Sequence, residues 1–63
     1  MYACHCTVSA FDGVSTIKSR PTVIIHSEDE QISINEAKEH FIKQYENWGC
    51  SSISVIVNLI RKC

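Results

Sequence analysis

The chain has 63 residues, with six Lys and Arg against seven Asp and Glu, three His, and a formal net charge of -1. That length holds one domain, residues 1–63, and a fold so small buries only about 60% of the surface its unfolded chain exposes, which leaves little room for a deep cleft. The charge lacks the basic excess of a dedicated nucleic-acid binder, and 44% hydrophobic residues with two Gly and one Pro exclude a disordered chain.

The first element alternates, with Tyr2, Cys4, Cys6, Val8 and Ala10 on one side and Ala3, His5, Thr7 and Ser9 on the other. This is the period of a strand. Asp12-Gly13 suits a tight hairpin turn, because Gly takes positive φ without penalty. A second strand is therefore predicted from Val14 to about His26, with Phe11 opposite Val14, Val8 opposite Ile17 and Tyr2 opposite Val23. Pro21 cannot donate to the ladder, which puts this strand at an edge or bends it.

"HSEDEQIS" is a polar connection, and Ser33-Ile34-Asn35-Glu36 has the form of a capping box that opens a helix. Ile34, Ala37, Phe41, Tyr45 and Trp48 then recur at helical spacing as one apolar stripe, and Gly49 supplies a left-handed stop. "SISVIVNLI" is rich in β-branched residues and alternates Ile53, Val55, Val57 and Leu59 against Ser54, Ile56, Asn58 and Ile60. The expected fold is α+β, a two-layer β-β-α-β unit. Its three-stranded antiparallel sheet has order 2-1-3, with one helix packed on one face.

Four cysteines and three histidines raise the question of a metal or disulfide site. Only Cys4 and Cys6 are closely spaced, and Cys50 and Cys63 stand at opposite ends of the last strand, about 40 Å apart if fully extended. One metal ion cannot gather all four, so no metal or other cofactor is expected. Free Cys commonly packs as a small hydrophobe. A single disulfide, Cys4 with Cys63, and a metal-stabilised module stay open as alternatives.

A thiol nucleophile needs a base within reach, and His5 points away from Cys4 and Cys6. The chain also has no phosphate-binding glycine loop, HExxH or nucleophile elbow, so no enzyme is expected. No stretch approaches the ~18 apolar residues of a membrane span, and the start lacks a secretory signal. With Met1 as the natural start, the expected location is the cytoplasm, where thiols stay reduced.

The sheet face away from the helix is the expected binding surface. His5, Phe11, Lys18, Arg20, Ile56, Ile60 and Lys62 are its candidate contacts. Ile56 and Ile60 would form an exposed apolar pair that a partner covers. The last strand lies at an edge, without proline or central charge, and invites pairing with a second copy or with another protein. Lys18, Arg20, Arg61 and Lys62 with Phe11 offer the alternative of nucleic acid, although sheet readers of RNA present two or three aromatics on the open face. The acidic loop Glu28-Asp29-Glu30 could face a basic partner.

With its "AFDGV" hairpin, the helix "SINEAKEHFIKQYENWG" and a final strand, the chain resembles small accessory proteins of bacteriophages and mobile elements, anti-CRISPR proteins among them. The resemblance implies a two-layer module that inhibits a host protein or nucleoprotein complex by covering a surface. It assigns no site residue.

Overall fold

Alternation in the opening segment produces the strand around which everything else is built. In a computed structural model describing Met1–Cys63, the elements are β1 (Tyr2–Phe11), β2 (Thr16–Ser19), β3 (Thr22–Ile25), α1 (Glu30–Asn47) and β4 (Ser51–Lys62). β1 is central. β2 and β3 pair with successive halves of one of its edges and β4 with the other, all antiparallel. The fold is thus the expected α+β unit with the order 2-1-3, but its second strand is in two pieces and the sheet has four strands.

The break falls at Pro21. Its carbonyl accepts the Cys6 N–H at 2.9 Å, and its ring nitrogen has no hydrogen to return the bond. The hairpin also closes later than predicted, with Phe11 opposite Thr16, Val8 opposite Ser19 and Tyr2 opposite Ile25. The cause is Asp12, whose Oδ1 accepts the N–H groups of Val14 and Ser15, both at 2.8 Å, while Gly13 adopts φ +100°. Val14 is therefore a turn residue, 90% exposed. A register change of two residues leaves every side chain on its original face, whereas a change of one would have inverted the hairpin.

The helix begins earlier than predicted. Asp29 is the N-cap, its side chain accepting the Ile32 N–H at 2.9 Å, and Glu30 places a negative charge in the first turn. Ser33 is not a cap but a fully buried residue one turn in, its hydroxyl donating to the Asp29 carbonyl at 2.9 Å. Ser33, Ala37, Phe41 and Tyr45 are the buried row. The first two are small and bring the helix close to the sheet, so that the Cys4 thiol lies 3.9 Å from the Ser33 carbonyl. The helix ends as predicted at Gly49, φ +84°, where the Gly49 N–H donates to Glu46 and the Cys50 N–H to Tyr45. Trp48, expected in the core, is 65% exposed because it caps the helix and rests against Tyr45 from outside.

The core is Cys4, Cys6, Val8, Ala10 and Ile25 of the sheet against Ala37, Phe41 and Tyr45 of the helix, flanked by half-buried Ile53, Val55, Val57 and Ile60. The helix backbone packs over β1, β3 and β4 and does not reach β2. Ser19 alone is tied to it, through the Tyr45 hydroxyl, and Ile17 on the same side remains 40% exposed.

Candidate functional site: the open sheet face

The face opposite α1 is set by β1 parity. Odd-numbered β1 side chains point to it, while Cys4, Cys6, Val8 and Ala10 are buried under the helix. Across the sheet the rows run Ile24, Ala3, Arg61; then Thr22, His5, Leu59; then Thr7, Ile56; then Lys18, Ser9, Ser54. The His5 Nδ1 and the Thr22 hydroxyl are 2.9 Å apart, and the Asn58 amide donates to the Thr7 hydroxyl, so the polar groups between the aliphatic ones are partnered within the face.

Two register shifts in β4 decide which of its residues join this face. Leu59 stands opposite His5 but Val57 opposite Cys6, so Asn58 is an extra residue. Beyond it every side chain changes side. Ile60, expected on the open face, is opposite Cys4 and packs against the core, and Leu59, expected in the core, is 47% exposed on the open face. Lys62 likewise falls opposite Tyr2 on the helix side, and Arg61 takes its place opposite Ala3. The signal in the sequence is Asn58 itself, a residue disfavoured in strands that interrupts an apolar run. The second shift, between Ser9 and Phe11, places Ser52 at φ +51°.

The other nominated residues are distributed as follows. His5 is half-buried at the centre of the face, and Lys18 is exposed opposite Ser9. Arg20 is exposed in the link between β2 and β3. Ile56 is 57% exposed opposite Thr7, while Phe11, 39% exposed, lies at the far end of β1. Ile24, which the pattern did not single out, is 46% exposed opposite Ala3 and joins Ile56 and Leu59. These three aliphatic side chains span both edges of the sheet. No strand contributes a carboxylate.

The thiols form no comparable site. All four are free; Cys4 and Cys6 are buried, Cys50 is half-buried and Cys63 exposed. Burial pushes the Cys4 and Cys6 thiols up from their ordinary value, with a further push from Cys63 on the first and from Cys4 on the second. No three of the His, Cys, Asp and Glu side chains converge in a way that could hold a metal ion. No helix is long and apolar enough to cross a membrane. Comparison with family models, characterised proteins and solved structures finds no match to this chain.

Proposed function

We propose that the chain is a non-enzymatic interaction module of the cytoplasm that binds a host protein or nucleoprotein complex through its open sheet face, and inhibits it by covering a surface, as small phage proteins do. One observation carries the reading. Ile24, Ile56 and Leu59, exposed by 46%, 57% and 47%, share a face that nothing in the chain covers. Removing such side chains from water favours association by about 25 cal/mol for each Å² of apolar surface, before the costs of docking are subtracted.

The edge of β4 is the lesser route, whether to a second copy or to another chain. Its shifts at Ser52 and Asn58 divide the strand into two short runs in continuous register, Ser54–Val57 and Leu59–Lys62, and bulges of this kind turn an edge away from further pairing. The test is capture from a lysate of the source cells with Ile56→Glu and Lys18→Glu, each checked for folding. Loss of capture supports the face, and unchanged capture by both variants removes it.

A second reading, nucleic-acid binding, has the exposed cations Lys18, Arg20 and Arg61 in its favour. Phe11 stands at the end of the face, and the ring at its centre, His5, is half-buried and bonded to Thr22, which leaves the centre without an open stacking platform. Binding to a single-stranded oligonucleotide that weakens steeply with salt would favour this reading, because phosphate contacts release counterions.

A further inference from the structure

The charges of this chain are sorted by layer. Lys18, Arg20, Arg61 and Lys62 belong to the sheet and its β2–β3 link, where there is no Asp or Glu. Six carboxylates, Glu28, Asp29, Glu30, Glu36, Glu39 and Glu46, lie in α1 and the loop before it, opposed there by only two lysines, and Asp12 in the turn is the seventh. A net charge of -1 thus conceals a sheet layer with four positive charges and a helix layer with four more carboxylates than lysines. Cross-strand ion pairs would stabilise such a sheet, and this one has none available.

The geometry points to a partner segment that is an acidic amphipathic helix, with an aliphatic stripe laid over Ile24, Leu59 and Ile56 and Asp or Glu residues along both flanks. This inference rests on the reading of the open face as the binding surface, and names what that surface takes. Ile24 on β3 and Leu59 on β4 are two strand spacings apart across the sheet and two residues apart along it, roughly 12 Å in all, which is about the diameter of one helix. Lys18, Arg20 and Arg61 lie around that aliphatic centre, where they meet carboxylates on a helix's flanks. The opposite potential of the α1 layer repels the same partner, so encounter is oriented as well as accelerated. Nucleic acid would lay its phosphates over the cations but leave the aliphatic centre unmatched.

The experiment uses the full chain, labelled with 15N, titrated with a synthetic helical peptide as long as α1 that carries a leucine stripe flanked by glutamates. Controls are the same stripe flanked by lysines and a single-stranded oligonucleotide. Expected are amide shifts at Lys18, Ile24, Ile56, Leu59 and Arg61 with the glutamate peptide alone, weakened about tenfold or more in ~1 M salt, where the Debye length is about 3 Å. Equal shifts with the lysine peptide, shifts confined to α1, no shifts at all, or preferential binding of the oligonucleotide would each overturn the inference. The lysate capture separates it from the reading beneath it. If Ile56→Glu abolishes capture and the double variant Lys18→Glu/Arg61→Glu does not weaken it, the face stands and the acidic partner falls. If neither variant matters, the face itself falls.

Discussion

Ser52 sits at φ +51°, a conformation that costs a residue with a Cβ roughly 1–2 kcal/mol and costs Gly little. It is exposed and at a bulge, where Gly is the usual occupant. Ser52→Gly is therefore expected to raise stability by about 0.5–1 kcal/mol in chemical denaturation, and Ser52→Val to lower it by at least as much. Asp12 works through charge. Two backbone hydrogen bonds, from Ser15 and Val14, hold its carboxyl below the ordinary 3.8, so the stabilisation it gives is present at neutral pH and lost as pH falls through the carboxylate range. Asp12→Asn keeps an acceptor oxygen and should flatten this acid dependence in a pH series of unfolding midpoints, whereas Asp12→Ala should lose the turn's stabilisation at every pH. The place of the turn at Asp12-Gly13 and the Gly49 stop were legible in the sequence because each depends on a neighbour or two, whereas the length of that turn, set by the Asp12 side chain, was not. Ser52 was not, since nothing in "CSSIS" announces a left-handed residue.

At the scale of elements, local signals competed and the stronger one prevailed. Asp29 and Ser33 both precede apolar helical positions, and either can cap a helix. Asp29 does so because starting there adds a turn and frees Ser33, a small residue, to lie in the contact with Cys4. Asp29→Ala should cost about 1 kcal/mol of stability, measured by urea unfolding. Ser33→Leu should cost more, since a fully buried site has no space for the added atoms. The apolar stripe predicted most of the buried row, with Ala37, Phe41 and Tyr45 on it. Its extension to Trp48 failed because helical periodicity has no information about where the sheet ends beneath the helix. The sheet order was legible from the strand count and the antiparallel preference, and the hairpin register was off by two, which the face assignment survives.

The whole molecule is a thin two-layer unit, 38 × 17 × 13 Å, with its chemistry divided between the layers. Buried thiols line one layer junction, cations and aliphatic side chains occupy the open side, and carboxylates cover the helix. The thiols report on the integrity of that arrangement. In the native protein Cys63 and Cys50 should react with iodoacetamide first, while Cys4 and Cys6 react only as the protein unfolds, as mass spectrometry of digests would read. Both buried thiols have folded pKa values raised above the ordinary 9.0, so their contribution to stability is complete below about pH 9 and is lost as pH rises through the folded values. Unfolding midpoints should fall above that pH, and Cys4→Ala/Cys6→Ala should reduce the slope.

The open face was only partly legible. β1 parity placed His5, and the alternation placed Ile56, but one inserted residue at Asn58 exchanged Ile60 for Leu59 and Lys62 for Arg61. Asn58 interrupts the apolar run and marks the place, but alternation within one strand does not say that a residue there is skipped, because a bulge reflects how β4 fits β1. The surface proposed to bind a partner depends on that exchange, and unfolding of Leu59→Ala and Ile60→Ala in urea tests it most directly. With Ile60 packed on the core and Leu59 in solvent, the Ile60 variant should lose roughly 2 kcal/mol and the Leu59 variant under about 1. The reverse ranking would return Leu59 to the core and Ile60 to the open side, contradicting the face described.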